Sequence, residues 1–377
     1  MTGPCPTAAP ADHPGGSATP AAVLVGSSGT ADVYPVHVSA GVIDRLTRWL
    51  PPQRRVLVVA QPGRDRVVQE VQERVDAAGA TLFTARVPDA EQAKDVTVLS
   101  ALWQQMGQAN FTRDDLVLSV GGGAVSDVAG FAAATWLRGI DVIHLPTSLL
   151  GIVDAAVGGK TGINTGEGKN LVGAFYPPAA VLCDPDWLVT MRRGDYVSGL
   201  AEVIKCGFIA DPAILDLIEA DPDAATTPSG PATVDLITRA VRVKADVVSV
   251  DLRESSLREI LNYGHTLAHA IELVEDYHWR HGDAVAVGMV FAAELGVLAG
   301  RTPPELVDRL RRILTSVGLP TAYPAGRWSD LRAAMARDKK SRGSTLRFVV
   351  LDEIGSPGRL EGPDEDLLSR AYAALSH

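Results

Sequence analysis

The polar residues between Glu254 and Glu272 have the spacing of one helical face. Glu254, Arg258, Asn262, His265, His269 and Glu272 recur every three or four residues. On a helix they form a stripe about 80° wide. A solvated helix face commonly carries lysine and glutamate at mixed spacing, whereas arginine, asparagine and two histidines together are typical of an active-site wall. We therefore expect one continuous helix here, with this stripe facing a cleft.

The histidines, together with one glutamate in apolar surroundings, indicate a metal site. His265 and His269 are four residues apart, so both rings can reach one ion. His281 lies where an apolar helix is expected to begin, and its ring is able to point into a cleft. Glu202 stands among apolar residues, where a carboxylate is costly unless it is ligated or paired. Two histidines, one glutamate and an open position form a usual catalytic zinc site, and the spacing alone assigns His269 to it.

A second chemical signal lies between Leu116 and Asn170. Residues 116–120 form an apolar run typical of a strand buried on both faces, and three glycines follow before a small-residue helix. This layout lets backbone N–H groups approach a pyrophosphate. The spacing differs from G-x-G-x-x-G, so a tight connection without a ligand is the alternative. A second glycine pair precedes Lys160, which favours a nucleotide beside another anionic ligand.

Several cations stand at positions that could converge on that anion. Lys244 lies in an otherwise apolar helix, and Lys205 lies one turn from Glu202. Taken singly, each cation is typical of a solvated surface charge. Counted together they could surround a bound anion, and the set comprises Lys160, Lys169, Lys205, Lys244, Arg258, Lys339 and Lys340.

The composition of the whole chain limits the classes of function. The chain has 377 residues, of which 46% are hydrophobic and 21% charged, as is ordinary for a globular protein with a large core. Its formal net charge of −10 argues against nucleic acid and anionic membranes as partners. Sparse cysteines without metal spacing indicate reduced thiols in a cytoplasmic protein. No apolar run is expected to reach the roughly 18–20 residues of a membrane span.

The periodicity divides the chain into two parts. Strands alternate with helices up to about residue 185, which predicts a parallel sheet. Beyond that point nearly every segment has a helical pattern, apart from a late strand at residues 346–351 and a capping box from Thr302 to Glu305. We therefore predict a disordered tail at residues 1–20, a Rossmann-like α/β domain at 21–185 and a mostly α-helical domain at 186–377.

Taken together, these residues resemble the 3-dehydroquinate synthase family, from about Val23 to the C-terminus. The matching segments are DAEQAK (89–94), GGGAVSDVAGF (121–131), LPTSLLGIVDAAVGGKTGIN (145–164), GKNLVGAFYPP (168–178), GLAEVIKCG (199–207), LREILNYGHTLAHAIE (257–272), HGDAVAVGM (281–289) and RDKK (337–340). The resemblance implies conversion of a phosphorylated seven-carbon sugar acid, 3-deoxy-D-arabino-heptulosonate 7-phosphate, to 3-dehydroquinate and phosphate. It also implies transient reduction of NAD and one divalent metal, zinc or cobalt, in the shikimate pathway.

The resemblance also assigns roles to individual residues. Glu202, His265 and His281 would bind the metal, which moves His269 to the substrate phosphate. NAD would contact Asp89, Ala90, Glu91, Gln92, Ala93, Lys94, Gly123, Ala124, Val125, Ser126, Asp127, Thr147, Ser148, Lys160, Lys169, Trp187, Leu188, Val189 and Thr190. The substrate's carboxylate and hydroxyls would contact Asp154, Lys205, Lys244, Glu254 and Arg258. Its phosphate would contact Lys160, Asn170, Asn262, His269 and one of Lys339 or Lys340. Arg138 would reach the phosphate bound by a neighbouring subunit, which implies a homodimer.

The chain departs from the family pattern close to Asp154. Ser148 replaces the second threonine of the usual pair, and Gly151-Ile152 stands where Ala-Gln is common. Ala155-Ala156 stands where Ser-Ser is common, which removes two hydroxyls beside Asp154. The hydroxyl retained at Ser148 is consistent with NAD binding.

Three other functions compete with this one. The first is a sister cyclase: amino-dehydroquinate synthase stays open, whereas the GGKTGIN and GKN segments disfavour valiolone- and inosose-forming enzymes. The second is an NAD-dependent, metal-containing alcohol dehydrogenase, which the predicted phosphate-binding set disfavours. The third is a non-catalytic relative, which the intact metal and lysine positions disfavour.

Overall fold

The structure is a computed structural model that describes residues 22–26, 33–253, 257–342 and 345–376, with the backbone alone for 337–342. The predicted tail at 1–20 and Glu254 lie outside the described residues. The side chains of Lys339 and Lys340 lie outside them as well.

Eleven strands and twelve α-helices are present in the described part of the chain. The strands are β1 Val23–Val25, β2 Tyr34–Val38, β3 Arg55–Ala60, β4 Thr81–Arg86, β5 Leu116–Gly121, β6 Asp141–Pro146, β7 Lys160–Thr165, β8 Gly168–Phe175, β9 Ala180–Cys183, β10 Arg347–Glu353 and β11 Ser356–Glu361. The helices are α1 Asp65–Ala77, α2 Val96–Gln108, α3 Gly123–Thr135, α4 Arg193–Ile209, α5 Ala213–Ala220, α6 Pro222–Ala225, α7 Pro231–Val250, α8 His265–Val274, α9 His281–Leu298, α10 Pro304–Ser316, α11 Trp328–Arg342 and α12 Glu365–Ala373.

Seven of the strands form one sheet in the order β1-β2-β9-β6-β5-β3-β4. Its strand pairs are parallel, apart from β1 on β2. The predicted fold class, a parallel-sheet α/β region followed by a mostly helical region, is confirmed.

Opposite faces of the sheet carry different helices because strand side chains alternate. Val56 and Val58 of β3 belong to the apolar cluster that contains α1, whereas Leu57 and Val59 belong to the cluster that contains α2 and α3. Along the sheet, β4 lies next to β3 in one direction. In the other direction β5 lies next to β3, and β6 follows β5. The carboxyl ends of β3 and β5 therefore form a topological switch point, where open α/β sheets bind ligands.

Helices α4 to α12 surround a third apolar cluster that extends to β1 and β2. At its centre lies α9, which is long and apolar enough by composition to cross a membrane, with a mean hydropathy of 1.4 over 18 residues. The helix carries His281, Asp283 and Glu294, so it is not an uninterrupted apolar run. Buried positions make up 72% of this helix, as in the core helix of a globular protein.

The expectation of one continuous helix between Glu254 and Glu272 is wrong. A 3-10 helix at Leu257–Asn262 precedes α8, and Gly264 separates them with a φ of 82°. Left-handed backbone of this kind suits glycine, which has no Cβ. A Cβ at Gly264 would lie 2.7 Å from the backbone nitrogen of Met289, so the close approach of α9 also requires glycine there.

Two further expectations differ from the structure. The Thr302 hydroxyl donates to the carbonyl of Leu351 at 2.7 Å, and the N-cap of α10 is Pro303, so the predicted capping box does not form. Residues 160–175 form an antiparallel β-hairpin, β7–β8, that the sequence pattern did not predict. Four glycines in this stretch obscure the alternation of a strand.

Candidate active site

One cavity of about 540 Å³ lies where α3, the β7–β8 hairpin and helices of the second half of the chain meet. It gathers residues from distant parts of the sequence that were predicted to act together. The predicted site residues in its lining are Asp127, Asp154, Lys160, Asn170, Lys205, Lys244, Arg258, Asn262, His265, His269 and His281.

Three potential metal ligands converge beside this cavity. The Nε2 atoms of His265 and His281 each lie 3.4 Å from Oε1 of Glu202. The three ligand atoms lie within 4.8 Å of one another. Oε1 of Glu202 is buried and has no hydrogen-bond partner among the described residues. A buried carboxylate oxygen without a partner is costly, so the arrangement fits a divalent cation bound by two nitrogens and one oxygen.

The second ring nitrogen of each histidine has its own partner. Nδ1 of His265 lies 3.2 Å from the carbonyl oxygen of Tyr263. Nδ1 of His281 lies 3.4 Å from Oε2 of Glu272. In both rings an acceptor at Nδ1 favours the tautomer whose Nε2 lone pair points toward Glu202.

Buried charges keep two of these groups in the form that a metal requires. Burial would raise the pKa of Glu202, but the Lys205 ammonium holds that pKa well below its ordinary value. Burial and Lys205 together lower the pKa of His265, so its ring is neutral. Burial would lower the pKa of His281, yet the carboxylates of Glu202 and Glu272 raise it to about 10. The same negative charge attracts a cation.

The lining of the cavity is also rich in cationic groups, which together form its cationic wall: Lys160, Lys205, Lys244 and Arg258. Lys244 donates to both the backbone carbonyl and the carboxylate of Asp154. Burial would raise the pKa of Asp154, but Lys244 lowers it to about 2, so the pair is ionic. Nη1 of Arg258 donates to the carbonyls of Gly158 and Leu252 at 3.2 and 2.6 Å. A wall that concentrates fixed cations in this way can bind an anion and stabilise a departing one.

The predicted nucleotide turn is hydrogen-bonded to a side chain that the sequence analysis did not identify. Gln61 follows β3, and its Oε1 accepts from the backbone N–H of Gly122 at 2.7 Å. Its Nε2 donates to Asp89 at 3.1 Å, so one amide joins two predicted NAD-binding segments. A position directly after a parallel strand at the switch point is the signal that could have identified Gln61.

Further contacts connect this edge of the sheet to the hairpin. Lys94 donates to Asp127 at 2.7 Å, and burial raises the pKa of Asp127 to about 6 in spite of that lysine. Asn164 of β7 donates to Glu91 at 2.7 Å, and Lys169 of β8 lies 4.0 Å from the same carboxylate. The hairpin therefore contacts the predicted NAD-binding segment.

Two hydroxyls at this edge are buried with no partner among the described residues, namely those of Ser126 and Thr147. The Ser148 hydroxyl accepts from the backbone N–H of Gly151 at 3.1 Å, so it stabilises the turn that follows β6. A glycine turn at a helix start, with unsatisfied hydroxyls beside it, fits a polar dinucleotide.

Other predicted residues lie outside the cavity lining formed by the described residues. Trp187 and Leu188 are buried in the core, and Val189 and Thr190 point away from it. Arg138 is exposed, with a φ of 69°. His269 lines the cavity, but the group of three metal ligands does not include it, so the assignment from helical spacing alone is wrong.

Comparison with known proteins supports the same identification. The family model for the N-terminal part of 3-dehydroquinate synthase matches residues 84–198, and the model for the C-terminal part matches residues 199–341. The 3-dehydroquinate synthase of Thermobifida fusca is 57% identical over 353 residues, which cover 93% of this chain and 96% of that protein. That of Paenarthrobacter aurescens is 58% identical over 344 residues, with 91% and 95% covered.

Solved structures share the fold at lower identity. A 2-epi-5-epi-valiolone synthase from Streptomyces hygroscopicus, with NAD⁺ and Zn²⁺ bound, superposes with a TM-score of 0.85 at 24% identity, covering 93% of this chain and 98% of that one. A 2-deoxy-scyllo-inosose synthase complexed with carbaglucose-6-phosphate, NAD⁺ and Co²⁺ gives 0.84 at 24%, covering 93% and 99%. Given the sequence relatives and both family models, the chain belongs to the 3-dehydroquinate synthase family and is a lyase with that family's activity.

Proposed function

We propose that the cavity binds NAD, one divalent cation and the heptulosonate phosphate at the same time, and that it carries out the complete conversion to 3-dehydroquinate. The observation that carries this proposal is the pairing of a three-ligand metal site with a cationic wall in one cavity. A simple alcohol dehydrogenase has no need for such a wall. Zinc and cobalt both suit the ligand set.

The protein's own residues would divide the work between them. When bound, NAD would accept and return a hydride, and the cation would polarise substrate oxygens. Lys160, Asn170, Asn262 and His269 would hold the phosphate. Asp154, Lys205, Lys244 and Arg258 would orient the carboxylate and hydroxyls, with Glu254 from outside the described residues.

Elimination would need no dedicated protein base. The phosphate of the substrate would take the proton from the carbon next to the transient ketone, and the cationic wall would stabilise the leaving group. One of Lys339 or Lys340 would contribute to that wall. The β7–β8 hairpin would help exclude water from reactive intermediates.

We propose further that the enzyme is a cytoplasmic homodimer in which Arg138 reaches the partner's site. Apolar side chains beside Arg138 and on β8 support a covered surface there, since Leu137 is 42% exposed and Val172 is 44% exposed. The Tyr176 hydroxyl, directly after β8, donates to the Ile140 carbonyl at 2.9 Å. Arg138 and this apolar surface therefore lie on adjoining segments.

The decisive assay mixes the purified protein with the heptulosonate phosphate, catalytic NAD and Zn²⁺. Inorganic phosphate and 3-dehydroquinate should appear in equal amounts without net NADH. Absence of phosphate release would show that the reaction is a different one. Net NADH formation with a polyol would instead favour a dehydrogenase.

The metal site has its own test. Glu202→Gln, His265→Ala and His281→Ala should each abolish turnover and weaken zinc retention, because each removes one of three converging ligands. The exposed His278 provides a control, since His278→Ala should keep zinc and activity. Full zinc content in all three ligand variants would place the metal elsewhere.

A further inference from the structure

Glu272 lies behind the metal site, where none of the roles above is assigned to it. It is on α8, two turns after His265, and its side chain is 12% exposed. Its two carboxylate oxygens have different partners. Oε2 lies 3.4 Å from Nδ1 of His281, and Oε1 lies 3.9 Å from Nζ of Lys169.

The geometry argues against Glu272 as a direct ligand of the cation. It contacts Nδ1 of His281, whereas Nε2 of the same ring lies 3.4 Å from Glu202. The two nitrogens of an imidazole point in divergent directions, so an ion at Nε2 is out of reach of the group at Nδ1. Glu272 therefore acts on the histidine and not on the ion.

The Glu272 carboxylate lies between two groups that can donate to it, Nδ1 of His281 and the ammonium of Lys169. Lys169 is held in turn above the ring of Tyr277, 3.6 Å from its centroid. The carboxylate is thus fixed between a lysine on one side and the histidine on the other.

We propose that Glu272 is a positioning residue that fixes the orientation and tautomer of His281, so that its Nε2 lone pair is presented to the cation. A carboxylate behind a ligating histidine also makes the ring a stronger donor. His265 has only the neutral carbonyl of Tyr263 in the corresponding place. The inference rests on the proposed metal site and adds a requirement outside its three ligands.

The test measures Zn²⁺ affinity of the metal-free protein by competition with a chromophoric chelator. Glu272→Leu should weaken Zn²⁺ binding by about 10–100-fold. Glu272→Gln keeps an acceptor oxygen and should retain most of the affinity. In the Co²⁺-loaded protein, the leucine variant should also shift the visible absorption bands, which report ligand geometry without any catalytic turnover.

Controls separate this inference from the metal site itself. Glu275 is the C-cap residue of the same helix, where it accepts from Tyr323, and Glu275→Gln should leave Zn²⁺ affinity unchanged. Thermal unfolding of the metal-free variants checks folding, with Glu272→Ala as a second apolar variant. Equal losses in the glutamine and leucine variants, or none in either, would overturn the positioning role. Retained Zn²⁺ binding in His281→Ala would instead refute the metal site.

Discussion

The guanidinium of Arg258 packs directly against one glycine, Gly158. It donates to the carbonyl of Gly158, and the N–H of the same glycine donates to the Tyr34 hydroxyl at 2.8 Å. Gly158 has a φ of 115°, and a Cβ there would lie 2.4 Å from Nη2 of Arg258. The peptide of Gly158 therefore connects β2 of the sheet to a cation of the cavity lining.

Gly158→Ala should consequently displace the guanidinium while leaving the metal ligands in place. We expect kcat/KM for the heptulosonate phosphate to fall by roughly 100-fold, the scale of a misplaced binding group, with unchanged zinc content. Steady-state kinetics and metal analysis measure both. Gly166→Ala is the matched control, because a Cβ at Gly166 meets nothing within 4 Å. Unchanged kcat/KM in Gly158→Ala would contradict the role of this peptide.

At the same scale, residue types identified most of the site but not its inner geometry. Glu202, His281 and Lys244 could be singled out because charged or ligating groups in apolar segments need partners. Helical spacing wrongly added His269 to the metal ligands: it shares α8 with His265, but the converging group consists of Glu202, His265 and His281. Residue type alone does not identify Gln61, because an uncharged amide after a strand is common in ordinary turns; only its position at the switch point of the sheet does.

At the scale of elements, buried strands were the most predictable feature. β5 is an apolar run in the interior of the sheet, and its observed bounds, Leu116–Gly121, lie within one residue of those predicted. The break before α8 was not predictable from periodicity, since the polar stripe continues across Gly264. The close contact between Gly264 and α9 determines where the helix begins. This tertiary contact cannot be inferred from the spacing of residues along the chain.

Strand β6 carries a titratable group with a measurable effect on stability. His144 is buried in the sheet, and its Nδ1 lies 2.8 Å from the Ser119 hydroxyl. Burial lowers its pKa from 6.5 to about 4. Between about pH 6.5 and pH 4 the unfolded chain therefore binds a proton at His144 that the folded chain does not bind. The contribution of His144 to the free energy of unfolding is complete above about pH 6.5 and is lost as the pH falls toward 4.

We expect His144 to account for about 3 kcal/mol of that loss. His144→Gln does not titrate, so its free energy of unfolding should depend less on pH in the same window. Urea denaturation of the metal-free protein at several pH values gives the slopes. His278→Gln, at an exposed histidine, should keep the wild-type slope. Parallel curves for wild type and His144→Gln would show that His144 titrates alike in both states.

At the scale of the whole molecule, the cavity depends on parts of the chain that are far apart in sequence. Asp127 enters it from the sheet region, and Lys244 and His281 enter it from the helical region. The cation wall and the metal site are therefore complete only in the folded chain. Arg138 is the exception, because it is exposed and lies outside the described lining.

The proposed dimer makes a sharp prediction about Arg138. In a heterodimer of one Arg138→Ala subunit and one His281→Ala subunit, the first subunit keeps its metal ligands and receives Arg138 from its partner. If Arg138 acts across the interface, one of the two sites is intact, and about half of the wild-type activity should return. Both homodimers should be nearly inactive. Differently tagged, co-expressed subunits allow the heterodimer to be isolated.

The matched control uses two residues that line the same cavity of one chain. A heterodimer of Lys244→Met and His281→Ala subunits has one defect in each site, so no activity should return. If the Arg138→Ala heterodimer also stays inactive, Arg138 does not act in the partner's site. If instead the Arg138→Ala homodimer is fully active, the residue has no part in catalysis. Recovery in the first pair alone would establish that each active site is built from two subunits.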